Sequence, residues 1–172
     1  DALYKNTFPK SSLFQTLDSV RIQTTISRHA KIAERIVDKA RKLRTGFPPP
    51  EFAVEMGDTL EYKVPQKGEK FILINFIDTE SFAVQKELPQ LNDLQKKHEK
   101  VLEVVSINVG GSYTKARDFF KANDYTWMLL DGSGLDKVLD SYNVKAYPSY
   151  FLISPEGNLA LNPTPGPDDN FE

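Results

Sequence analysis

Few side chains in this sequence could carry covalent chemistry. The 172 residues include no cysteine, which excludes dithiol exchange, a disulfide framework and a Cys-ligated metal site. The only histidines are His29 and His98. Ser81 is the best-placed hydroxyl, because it begins a predicted helix where the dipole and free N–H groups favour an anion. A serine hydroxyl is too weak an acid to ionise in that field alone, so it needs a base. His98 lies 17 residues further along the same helix, about 25 Å away at roughly 1.5 Å of rise per residue. His29 sits in a separate basic segment with nothing to orient it. Ser81 therefore reads as a helix cap. Val84, on the apolar stripe of that helix, reads as a core residue. Glu80 and Glu87 read as capping and solvated carboxylates rather than an acid–base pair. Gly110-Gly111-Ser112 lacks the Gly-Lys-Ser/Thr of a phosphate loop and reads as a strand–helix turn. Asp131-Gly132-Ser133-Gly134 lacks the spaced acids of a calcium loop. No metal ligand set and no cofactor are expected.

The elements that must position these residues follow from periodicity. Phe71-Ile72-Leu73-Ile74 is a continuous apolar run, and Phe71–Ile77 reads as a central strand covered on both faces. The helix from about Ser81 keeps Val84, Leu88, Leu91 and Leu94 or Gln95 on one side, and Pro89 should kink it without ending it. Residues 1–10 read as coil. Ser11–Arg44 reads as helix, capped by Ser11 or Ser12 and broken near Thr24-Thr25. Gly46-Phe47-Pro48-Pro49-Pro50 ends this arm. Phe52–Val54 and Thr59–Val64 flank Met56-Gly57-Asp58 as a hairpin.

Further on, Val101–Val109 is a second buried strand, followed by a helix carrying Ala116, Phe119 and Phe120. Trp127–Leu130 is a short apolar run, and Phe119, Phe120 and Trp127 belong to the core. Leu135, Val138, Leu139 and Tyr142 mark a short helix. Ser149–Ile153 is a third strand, and the turn Pro155-Glu156-Gly157-Asn158 folds Asn158–Leu161 antiparallel against it. Asp168 or Asp169 could cap a further helix. Strands alternate with helices, which defines an α/β domain.

The overall charge of −2 makes no case for nucleic acid or an anionic membrane. The charge is nevertheless uneven. Residues 1–47 hold ten Lys/Arg against four Asp/Glu, a net of +6, and the remainder hold twelve against twenty, a net of −8. Lys31, Arg35, Lys39, Arg41, Lys42 and Arg44 crowd the second half of the arm, as a solvated basic face or as a surface for an acidic partner or for the rest of a longer protein. No apolar run approaches the roughly 20 residues that span a bilayer. The sequence divides into a helical arm, 1–47, read as the end of a larger upstream region, and a domain, 48–172.

From about Pro50 to Asn162 the chain resembles the TlpA-like branch of the thioredoxin superfamily, the extracytoplasmic thiol–disulfide oxidoreductases related to the redoxins. Four stretches carry the likeness. They are Pro50-Glu51-Phe52, Asn75-Phe76 with Lys86–Leu91, Val105–Asn108, and Tyr142–Ile153 followed by Glu156-Gly157-Asn158. The resemblance implies a thioredoxin-like fold, a central mixed sheet flanked by helices with an N-terminal β-hairpin. It places the family's Cys-x-x-Cys at Ser81 and Val84, and its cis-proline at Pro148, with a cis Tyr147–Pro148 bond. It also implies a final helix, which the sequence reaches only at 168–172. In relatives an extended substrate segment pairs beside this proline, so Ser81, Phe82, Tyr147 and Pro148 are the candidate peptide groove. The expected function is a redox-inactive binding or structural module in an extracytoplasmic bacterial protein, with an anchor upstream of residue 1 left open. The alternative is an oxidoreductase family member whose cysteines were lost or replaced.

Overall fold

The computed structural model describes residues 10–56, 60–162 and 164–167, with the backbone alone at 10–14 and 38–42. The readings that fall on residues 1–9, on Gly57, Asp58 and Thr59, and on the helix start at Asp168 or Asp169 lie outside these. So do the side chains of Lys39, Arg41 and Lys42.

The arm is two helices, α1 (Lys10–Gln23) and α2 (Ser27–Lys42), interrupted at Thr24-Thr25-Ile26. Thr24 Oγ1 accepts from the Ile26 N–H, a local side-chain bond that competes with continuing the helix. Ser11 and Ser12 fall inside α1 and do not start it. The hairpin β1 (Phe52–Met56) and β2 (Leu60–Val64) forms its own two-stranded sheet. Its period-2 pattern turns Val54, Tyr62 and Val64 inward and leaves Ala53, Glu55, Glu61 and Lys63 exposed.

The main sheet has five strands: β3 (Phe71–Asp78), β4 (Leu102–Gly110), β5 (Met128–Asp131), β6 (Ser149–Ile153) and β7 (Leu159–Leu161). Their spatial order is β5-β4-β3-β6-β7, with β3, β4 and β5 parallel and β6 and β7 antiparallel to their neighbours. Helices α3 (Phe82–Lys97) and α4 (Tyr113–Ala122) connect the parallel strands. Both crossovers step in the same direction across the sheet, so both helices cover the same face. Helix α5 (Asp136–Ser141) and the hairpin cover the other. Trp127–Leu130, read from the sequence only as an apolar run, thus contributes an edge strand.

Alternation along β3 feeds two cores. Ile72, Ile74 and Phe76 join Val54, Tyr62, Val105, Ile107, Tyr142 and Phe151 on the hairpin side. Leu73 and Ile77 join Val84, Leu88, Leu91, Phe120 and Trp127 beneath α3 and α4. On the hairpin side Phe52, Phe76, Tyr142 and Phe151 pack largely edge-to-face, and Tyr142 Oη donates to the Pro50 carbonyl at 2.8 Å. On the helix side a buried polar chain interrupts the apolar surface. Trp127 Nε1 donates to Ser106 Oγ at 2.8 Å, and Ser106 Oγ donates to Asn75 Oδ1 at 2.7 Å.

The end of the arm is built into the domain. Leu43 is buried in the hairpin-side core. Gly46 N–H donates to the Leu159 carbonyl and Leu159 N–H donates to the Phe47 carbonyl, so this segment runs along the outer edge of β7. Asn162 Nδ2 donates to the Leu43 carbonyl.

Candidate functional site

Helix α3 starts at the carboxyl end of β3, the central strand, which is where α/β sheets open a crevice. Asp78 closes the turn between them. Its Oδ1 accepts from Glu80 N–H at 3.0 Å and its carbonyl from Ser81 N–H at 2.9 Å. Gln85 Nε2 reaches back to the Thr79 carbonyl at 2.8 Å. Gly110 is required here: a Cβ on it would stand 2.4 Å from Asp78 Cγ, where β4 passes the end of β3.

Ser81 occupies the N-cap position with extended backbone, but its hydroxyl makes no capping hydrogen bond. That corrects the reading of Ser81 as a side-chain cap. Asp78 already closes this turn, and the serine is left half-buried. Phe82 is 81% exposed, the most exposed of the large hydrophobic residues among the described ones. Val84 is completely buried against Leu88, Leu91 and the sheet, in keeping with its place on the apolar stripe. Helix α3 continues through Pro89 to Lys97.

The Tyr147–Pro148 bond is cis, as the resemblance implied. Val64–Pro65 is cis as well, a feature with no signal in the sequence pattern. Ser149 pairs with Phe76, two residues before the end of β3. Continuing that antiparallel register brings Pro148 and Tyr147 to the same end of the sheet as Ser81 and Phe82. Tyr147 is half-buried and packs against the core that contains Val84.

A cleft of about 270 Å³ opens beside Pro148. It is lined by Glu87, Asn143, Ser149 and Tyr150, with Asn162, Thr164 and Gly166 as its far wall, whereas Ser81, Phe82 and Tyr147 do not line it. Glu87 was read as a solvated carboxylate. Its Oε2 instead accepts from Tyr150 Oη at 2.9 Å, tying α3 to the proline strand. Glu80, read with it as a cap, forms an exposed ion pair with Lys115 at 3.1 Å. Spacing alone could not find the Glu87–Tyr150 contact, since the two residues are 63 positions apart.

His98 ends α3, at the opposite end from Ser81, His29 lies in α2, and among the described residues neither histidine hydrogen-bonds to Ser81. No cluster of three metal-ligating side chains exists among the described residues.

A mixed sheet in this strand order, a helix starting at the end of its central strand and a cis-proline opposite define the thioredoxin-like class. Within it, residues 45–161 match the AhpC/TSA family model, so the chain belongs to the AhpC/TSA family. It is 32% identical over 117 residues to the thiol-disulfide oxidoreductase ResA of Bacillus subtilis, an alignment spanning 66% of this chain and 64% of that relative. It therefore spans somewhat less than two-thirds of that relative's length. A thioredoxin-like protein from Bacteroides caccae superposes with a TM-score of 0.63 at 20% identity, over 88% of this chain and 57% of that one. The exposed lipoprotein thioredoxin of Streptococcus pneumoniae superposes with a TM-score of 0.51 at 23% identity, over 64% of this chain and 85% of that one.

Proposed function

We propose that this chain is a redox-inactive thioredoxin-like domain that works as a binding or structural module in an extracytoplasmic bacterial protein. The observation that carries the reading is the pair Ser81 and Val84. A thiol–disulfide exchange centre needs one exposed, stabilised thiolate and a second thiol to resolve the mixed disulfide. Here the first position is a serine without a base, and the second is an aliphatic side chain sealed in the core.

What remains is suited to holding an extended segment. Phe82 projects into solvent and the proline strand begins at the same end of the sheet. Ser81, Phe82, Tyr147 and Pro148 form the contact surface for a protein or peptide partner. The neighbouring Glu87 cleft extends that surface from Pro148. An extracytoplasmic location agrees with the likeness to an exposed lipoprotein thioredoxin. No described helix is long and apolar enough to cross a membrane.

The test is an insulin-reduction assay on the natural chain and on Ser81→Cys/Val84→Cys. The natural chain should not accelerate reduction above dithiothreitol alone. If the site has drifted from the redox frame, the graft should be inert or misfolded. Robust turnover by the graft would show an intact redox scaffold that lacks only its cysteines and would favour the alternative, an oxidoreductase family member whose cysteines were lost or replaced.

A further inference from the structure

The charge of the whole chain conceals the charge of its parts. We propose that the arm is a docking face for an anionic phospholipid surface, formed by the Ile32–Ile36 ridge of α2 and the cations Arg28, Lys31 and Arg35. The inner face of α2 is already used: Ala33 and Val37 are each 2% exposed. Ile32 and Ile36, one turn apart, are 45% and 38% exposed, and Ile22 and Ile26 at the α1–α2 junction are 73% and 52% exposed. Ile32 and Ile36 thus form an exposed aliphatic ridge on one face of α2, a candidate contact site.

The charges beside the ridge select its occupant. At roughly 100° per residue, Arg28 and Arg35 flank Ile32 and Ile36 on the side away from Ala33 and Val37, with Lys31 beyond them and Glu34 across the helix. All three cations are exposed, and none has an ion-pair partner among the described residues. A second copy meeting this face symmetrically would set Arg28 and Arg35 against their own mates. Residues 15–37 contain no Phe, Tyr, Trp or Met, so the ridge is wholly aliphatic. An anionic bilayer fits both features: headgroups receive cations on long stems without fixed geometry, and aliphatic side chains enter the acyl boundary. The net −8 of residues 48–172 is repelled by the same surface, so the segregation orients the molecule arm-first.

The full chain is sedimented with vesicles of phosphatidylcholine alone and of phosphatidylcholine mixed with phosphatidylglycerol. Binding should appear only with the anionic lipid. It should fall on the order of a hundredfold in Arg28→Gln/Lys31→Gln/Arg35→Gln, and similarly at high salt. Ile32→Ser/Ile36→Ser should weaken it roughly tenfold. All five positions are exposed, and circular dichroism verifies the fold of each variant. Equal binding to neutral vesicles, no binding to anionic ones, or indifference to both sets of substitutions would overturn the proposal. So would a dimer in analytical ultracentrifugation that these substitutions dissolve without any vesicle binding. A protein cross-linked through position 36 in the absence of vesicle binding would assign the face to an acidic protein instead.

Discussion

Tyr150 donates its phenolic hydrogen to Glu87 Oε2 at 2.9 Å, and this contact joins the first half of α3 to the strand that follows Pro148. The two elements are otherwise held by apolar packing through Val84, Leu88 and Tyr150. The bond therefore fixes how far the helix carrying Ser81 and Phe82 stands from the proline strand.

Removing that bond should loosen the site without unfolding the domain. A hydrogen bond to a carboxylate is worth about 1.5–3 kcal/mol. Tyr150→Phe should lower urea-unfolding stability by about 1–2 kcal/mol, since water can partly replace the phenol at a half-buried carboxylate. In a double-mutant cycle with Glu87→Ala the two losses should be non-additive by about 1 kcal/mol. Full additivity would show that the contact contributes nothing.

The buried chain from Trp127 through Ser106 to Asn75 should be costlier to break. Ser106 is completely buried and both receives and donates. Ser106→Ala would orphan the indole N–H and the Asn75 carbonyl oxygen together, at about 1–3 kcal/mol each. A loss of at least about 2 kcal/mol is expected in chemical denaturation, with a change in Trp127 fluorescence. A neutral substitution would contradict the geometry.

The end of the arm should behave as part of the domain core. Leu43→Ala removes a buried side chain from the hairpin-side cluster and should cost about 2–4 kcal/mol. The neighbouring exposed Arg44→Ala loses a cation–π contact with Phe47, 4.4 Å to the ring centre, and should cost no more than about 1 kcal/mol. Thermal melts of the two variants give the comparison directly.

Alkaline pH should unfold the domain through two tyrosines. Burial pushes the phenols of Tyr142 and Tyr62 well above their ordinary value of 10, and Glu103 adds to the effect on Tyr62. The folded chain keeps these protons after the unfolded chain has released them. Their contribution is complete below about pH 10 and is lost as pH rises toward the native values, at about 1.4 kcal/mol per pH unit for each group. Tyr142→Phe should flatten this alkaline limb, although it costs about 1 kcal/mol at neutral pH through the lost bond to Pro50. An unchanged limb in the variant would assign the pH dependence to other groups.

Long periodic segments were legible in the sequence. The strands Phe71–Asp78 and Ser149–Ile153, the helix after Ser81 and the break after Gln23 all lie where period and propensity put them. Val84 was legible as core because it falls on a stripe. Met128–Asp131 was not legible as a strand, since four residues are too few to display a period and the strand is fixed by pairing with Val105–Asn108. Ser81 was misread as a side-chain cap because residue preference at a helix start does not reveal that Asp78, three positions earlier, already closes the turn. The Glu87–Tyr150 bond and the Trp127–Ser106–Asn75 chain depend on long-range register, which composition does not encode.

The proposed binding role requires that the end of the sheet carrying Ser81, Phe82 and Pro148 hold an extended chain. The decisive measurement is a titration of isotope-labelled protein with cysteine-blocked insulin B chain, followed by amide chemical shifts. Saturable shifts should concentrate at Ser81, Phe82, Tyr147 and Ser149, and Phe82→Asp should abolish them while leaving the remaining spectrum intact. No shifts at these residues at any attainable concentration, or shifts that persist unchanged in Phe82→Asp, would contradict the binding role.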